Sequence, residues 1–152
     1  MSNEKKERIE KFGEVFTPQK EVNAMLDLVY NETQRIDSRF LEPACGDGNF
    51  LITIIERKLD IVKKNYRKSQ IEYERYAFQA IGSIYGVEII EDNVKKCRER
   101  LSNFLSQQYK KIFKEASKKE FICAINFVLS CNILLGDALT LTEPDSDKPI
   151  IF

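Results

Sequence analysis

Along the chain, apolar residues at helical spacing alternate with short apolar runs that end in turn residues. Val22, Met25, Leu26, Val29 and Tyr30 lie three or four apart, which puts them on one face of a helix. Thr17-Pro18 reads as the start of that helix, with Thr17 as N-cap and Pro18 at the first helical position. Arg39-Phe-Leu-Glu-Pro-Ala44 reads as a strand closed by turn residues. Phe50, Leu51, Ile54, Ile55, Leu59, Val62 and Tyr66 mark the next helix, and residues 71–81 with Tyr73, Tyr76, Ala77, Ala80 and Ile81 another. Ser83-Ile-Tyr-Gly-Val87 reads as a second strand closed by Glu88. Val94, Cys97, Leu101, Phe104, Leu105, Ile112 and Phe113 trace a long amphipathic helix. Phe121 to Leu129 reads as a buried helix, Asn132-Ile-Leu-Leu-Gly136 as a third strand, and Pro149-Ile-Ile-Phe152 as the start of a fourth.

Strands alternating with helices predict an α/β fold: a parallel sheet covered on both faces, with any ligand outside the carboxyl ends of its strands. The 152 residues suit one domain. No repeat or low-complexity linker divides them, and residues 1–11 are charged enough to read as a frayed terminus.

Composition then narrows the chemistry. There is no His, which removes the usual general base, the Ser-His and Cys-His nucleophile pairs and histidine metal sites. Cysteines 45, 97, 123 and 131 never form C-x-x-C, so neither a zinc ribbon nor a dithiol redox site is indicated, and no metal is expected. The opening has no signal-peptide core and no apolar run reaches membrane-helix length, so a cytoplasmic chain without membrane contact is expected. The 24 basic residues balance 24 acidic ones, which argues against a domain held on nucleic acid by its overall field. The basic clusters Lys63-Lys64 with Arg67-Lys68, Lys95-Lys96 with Arg98 and Arg100, and Lys110-Lys111 with Lys114 read mainly as solvated helix faces. Tyr66, Tyr73, Tyr76, Phe104 and Phe113 sit at core spacing.

Three strand ends carry candidate chemistry. Leu41-Glu-Pro-Ala-Cys-Gly-Asp-Gly-Asn-Phe50 lies between a strand and a helix, where Gly46 and Gly48 allow a tight turn and the helix amides favour an anion. Leu51 stands where a dinucleotide fingerprint needs a third Gly, and no Gly-Lys-Ser/Thr follows, so neither that motif nor a P-loop is present. Glu88 can accept both hydroxyls of a ribose, with Ile89 after it able to pack on an adenine. Asp137 can accept from an exocyclic amine. Each taken alone reads as well as an ordinary turn or a helix-starting acid; three in succession after parallel strands are harder to dismiss.

In this order, Gly13-Glu-Val-Phe-Thr-Pro18, the 41–50 segment, Ile84-Tyr-Gly-Val-Glu88 and Gly136-Asp137 resemble the opening motifs of bacterial N6-adenine DNA methyltransferases of restriction–modification systems. The resemblance spans about residues 12–152 and implies a truncated Rossmann-like class I methyltransferase fold, with three to four parallel strands flanked by helices. It implies an S-adenosylmethionine site. Phe16 and Thr17 would cover the methionine end, and Glu42, Ala44, Cys45, Gly46 and Gly48 would wrap its amino and carboxylate groups. Glu88 would hold the ribose, Ile89 would pack on the adenine, and Asp137 would read the adenine amine beside Ala138. Ala138 is small where the family often has a bulky apolar residue.

One departure bears on mechanism. The prolines are 18, 43, 144 and 149, so the family's Asp/Asn/Ser-Pro-Pro-aromatic motif, which holds the target amine, does not occur in the chain. No catalytic residue is therefore expected here, and the chain reads as the cofactor-binding, amino-terminal half of such an enzyme, inactive alone. Duplex DNA would be met through the missing carboxyl-terminal part, alongside a restriction or specificity subunit, and self-association through the truncated sheet edge is expected. An RNA or protein-glutamine methyltransferase is the alternative within the fold, and a noncatalytic nucleotide-binding or assembly module the alternative outside it.

Overall fold

The stripes fold as the helices their spacing predicts. The structure, a computed structural model, describes residues 17–144 and 146–152; the charged opening and Gly13 to Phe16, including the cofactor candidate Phe16, lie outside the described residues. In order come α1 (Gln19–Leu28), α2 (Tyr30–Thr33), β1 (Phe40–Glu42), α3 (Asn49–Tyr66), α4 (Gln70–Gly82), β2 (Ile84–Glu88), α5 (Glu91–Phe113), a 3-10 turn (Lys114–Ala116), α6 (Lys119–Asn132) and β3 (Ile133–Leu135).

The strands form one parallel sheet in the order β1-β2-β3. Alternation along the pleat gives Phe40, Ile84 and Ile133 one face, and these join the core built by the helices. On that side α3 packs on α4, α4 on α6, α6 on α5 and α5 back on α3, a closed ring of helices. Tyr73 and Tyr109 are buried inside it, with Phe113 and Phe121 against them at ring distances of 4.8–5.3 Å. The core spacing read for the tyrosines is thus met; Tyr66 and Tyr76 stack at 3.9 Å on the rim.

Four local expectations change. Pro18, not Thr17, is the capping residue of α1: its ψ of 145° is extended, and its carbonyl takes the N–H groups of Glu21 and Val22. No side chain among the described residues caps that helix. Only Val22 and Leu26 of the α1 stripe are buried, because α1 meets the rest of the fold chiefly along α3. α6 is apolar but one-sided: Phe121, Ile125 and Leu129 are buried, whereas Phe127 stays exposed.

The fourth strand does not form. Pro149 makes an isolated antiparallel bridge with Thr142, which itself bridges to Asp137. The chain after β3 thus folds back, with Ile150 N–H bonded to Leu141 O at 2.9 Å. Proline has no N–H to give a ladder, and four residues offer little pairing to offset ordering them. Ile150 instead lies over Gly136, and the Phe152 ring meets Tyr85 edge-on at 5.2 Å. This segment partly covers the sheet face opposite the helices. Among the described residues no strand pairs with the outer edge of β1, where Leu41 is 58% exposed. No helix among the described residues is long and apolar enough to cross a membrane.

Candidate functional site

Because the strands are parallel, their carboxyl ends open on one side. Register sets Glu42 beside Gly86 and Glu88 beside Leu135, and Gly136 N–H bonds to Glu88 O at 3.0 Å. The three strand ends singled out in the sequence therefore meet.

The loop after β1 is tied down first. Cys45 N–H donates to Val87 O at 3.0 Å and Gly48 N–H to Cys45 O at 2.9 Å. Gly46 and Gly48 have φ of +53° and +94°, where side chains are strained. They differ in packing: space around Gly46 is open, whereas a Cβ on Gly48 would lie 2.8 Å from Cys97 Sγ. Cys45 turns its thiol inward under Gly86, whose own Cβ would stand 2.9 Å from that sulfur. At the loop surface Cys45 therefore offers backbone only, while Ala44 is exposed. A hydrogen bond with the Cys97 thiol, burial and the nearby carboxylates all push the Cys45 thiol up, so it stays protonated and inert.

Glu88 is the hinge of the site. It is only 7% exposed, yet one oxygen accepts Gly46 N–H at 2.8 Å and the other Ile90 N–H at 2.9 Å. One carboxylate thereby joins the Gly loop to the start of α5. A carboxylate has about four acceptor positions, so two remain for a ligand. Ile89 beside it is 47% exposed and free to pack on a flat ring. Asp137 gives one oxygen to Leu139 N–H at 2.7 Å, which closes its own turn, and Ala138 follows half-buried. Glu42 is half-buried, and desolvation raises its pKa above the ordinary 4.5, with the Ala44 backbone hydrogen bond acting the other way.

The amino end of α3 completes the arrangement. Its capping residue is Gly48, no side chain among the described residues caps it, and no acid lies in its first turn. Ile52 N–H is the first to bond back, to Gly48 O at 2.8 Å, so the amides ahead of it face the loop with the positive end of the helix dipole. Gln19 Nε2 donates to Thr53 Oγ1 at 2.8 Å, which brings the start of α1 to the first turns of α3; Thr17 lies two residues before Gln19.

One participant leaves no local sign in the sequence. Arg100 of α5, which reads there as part of a basic cluster, pairs with Asp47 Oδ2 at 2.6 Å, Asp47 O at 2.9 Å and Asn49 Oδ1 at 3.1 Å. No short motif marks Arg100, Asp47 or Asn49 for this role, since the contact spans 51 to 53 positions. Arg98 likewise spends its guanidinium on Ile133 O and Ser130 O. Lys63, Lys64, Arg67 and Lys68 are exposed, as a solvated face requires.

Cavities elsewhere offer less chemistry. One of about 500 Å³ is lined by Arg39, Phe40, Leu41, Tyr85, Asn132 and Phe152, and one of about 100 Å³ lies among α3, α4 and α5. Neither holds converging carboxylates beside free amides.

A protein-family model described as N-6 DNA methylase matches residues 1–117, from α1 through α5 and including the Gly loop and Glu88. No curated protein and no solved structure matches the chain.

Proposed function

Since the chain belongs to the N-6 DNA methylase family, we propose that the strand-end cluster binds S-adenosylmethionine and serves site-specific adenine-N6 methylation of duplex DNA within a restriction–modification system. The observation that carries this reading is Glu88. It is buried at the carboxyl end of β2, it ties the Gly loop to α5, and its two described hydrogen bonds leave it acceptor capacity. The donor set fits the group: amides at the α3 start suit a carboxylate, Glu42 an ammonium, Glu88 a pair of vicinal hydroxyls and the remaining Asp137 oxygen an exocyclic amine. Thr17 offers a hydroxyl at the methionine end, and Ile89 a face for the adenine.

When bound, S-adenosylmethionine supplies an electrophilic methyl group on its sulfonium. The residues of this chain fix the position of that methyl; they do not hold the amine that attacks it. Transfer of this kind gains its rate mainly from holding two reacting atoms in line, and no Pro-Pro segment is present to hold the second one. The target adenine and its DNA are assigned to other parts of the enzyme, with a restriction or specificity subunit as partner.

Calorimetric titration of the chain with S-adenosylmethionine tests the site. Binding is expected, with Glu88→Ala about 10- to 100-fold weaker, as a lost charge-assisted hydrogen bond implies, and Asp137→Ala less so. Affinity unchanged in both variants would remove the adenosine site from these strand ends. A second experiment tests the division of labour: the 152-residue chain, incubated with duplex DNA and methyl-labelled cofactor, is expected to transfer no label to adenine. Measurable N6-methyladenine would overturn it.

A further inference from the structure

Asp47 and Asn49 flank Gly48, the capping residue of α3, one just before the helix and one at its first position, where the helix dipole draws acceptor oxygens towards free N–H groups. Either could fold onto the open amides and occupy the place of a ligand anion. Neither does. The Asp47 carboxylate and the Asn49 amide oxygen are both held by Arg100, which reaches up from α5 and takes the Asp47 carbonyl as well. One turn earlier on α5, Cys97 supports Gly48 from below.

We propose that Arg100 is a positioning residue for the cofactor: it draws two competing caps away from the α3 amino end and keeps those amides open to the ligand carboxylate. The proposal rests on the reading that the Gly loop takes the methionine end of S-adenosylmethionine. Without Arg100, Asp47 is released beside the amides, where its charge is favoured by the helix dipole and opposes an incoming anion. Loss of the guanidinium then costs ligand affinity through competition and not through collapse of the loop, whose ties to Val87 O and Glu88 do not involve Arg100.

The test uses two ligands and a second-site change. S-adenosylmethionine carries the carboxylate; 5′-methylthioadenosine has the same adenosine and sulfur but no amino-acid end. In Arg100→Met, S-adenosylmethionine is expected to bind at least about tenfold more weakly, while methylthioadenosine stays within about twofold, since only the former meets the α3 amides. Adding Asp47→Ala to Arg100→Met removes the competing cap and is expected to restore most of the lost affinity. A purely structural Arg100 would give equal losses for both ligands and no recovery on deleting Asp47. Either of those results, or no change in either ligand, overturns the proposal. If Arg100→Met fails to fold, Arg100→Lys, which engages fewer oxygens, is titrated with the same two ligands: a loss confined to S-adenosylmethionine supports the proposal, and equal losses or none overturn it. Failure of the underlying cofactor reading is distinct, because the unaltered chain would then bind neither ligand.

Discussion

The two ends of the β1–β2 pair are each joined by one buried charged side chain, and they use it in opposite ways. At the amino ends, Lys58 of α3 is fully buried and donates to Ile36 O at 3.2 Å, Ser83 Oγ at 2.5 Å and Ser38 O, with its ammonium also over the Phe40 ring. An ammonium has three protons, and all three are used. At the carboxyl ends, Glu88 accepts two N–H groups and, among the described residues, keeps acceptor positions unused. The saturated network is closed and structural. The unsaturated one sits among half-buried and exposed residues with open helix amides beside it. Spare hydrogen-bonding capacity, more than burial or charge, separates the proposed ligand site from the strut.

Removing Lys58 is the strongest way to break that contrast. Lys58→Ala takes the donor from Ser38 O, leaves Ile36 O only its longer contact with Ser83 Oγ at 3.3 Å, and opens a cavity under Phe40, so a loss of about 3–4 kcal/mol in stability is expected by denaturant unfolding. Cofactor affinity of the folded fraction should change little. A loss under about 1 kcal/mol would mean that water replaces the ammonium and that the end is not closed.

A smaller effect follows from the protonation of the same amine. Burial lowers the Lys58 pKa from 10.5 to about 8, with Asp37 acting the other way. Between those values the unfolded chain keeps a proton that the folded chain has released. Stability therefore rises with pH across the window from about 8 to 10.5, by up to about 3 kcal/mol, and is flat below it as far as this group is concerned. Subtracting the Lys58→Ala stability curve from that of the unaltered chain isolates the rise. A flat difference would show that the amine is as well solvated when folded as when unfolded.

One of these ends is legible in the sequence and the other is concealed there, for a physical reason. Glu88 stands out because a short apolar run stops at it and a helical stripe begins just after, so an acid at a strand end announces itself locally. Lys58 sits within the stripe of Leu51, Ile54, Ile55, Leu59 and Val62, where it reads as a polar interruption; only the fold supplies the oxygens that accept it. The helices are legible because each buries one stripe against neighbours close in sequence or in the ring. Pro149 to Phe152 misleads because apolar residues after a turn predict a strand without saying what it would pair with. Cys45 lies in the loop the motif predicts, but its side chain points away from the loop surface, since the contact that turns it inward comes from Cys97 and Gly86, far along the chain.

Glu42 gives the smallest expected effect and the sharpest one, because two readouts move in opposite directions. Burial raises its pKa, so in the unliganded protein the carboxyl holds its proton to higher pH than the ordinary 4.5. Folding thus favours the protonated form, and the contribution of Glu42 to stability falls as pH rises from 4.5 through the raised value. Binding an ammonium requires the ionised form. The affinity for S-adenosylmethionine should therefore rise with pH over the same interval, by up to about tenfold per pH unit below the raised pKa. Methylthioadenosine, which has no amino-acid end, separates the groups that meet that end from those that meet the adenosine: its affinity should show no such step. Glu42→Gln should bind S-adenosylmethionine weakly and without the step. An identical pH slope in Glu42→Gln would place the ammonium elsewhere and leave Glu42 as a half-buried acid of the loop, with Glu88 alone marking this end of the sheet as the open one.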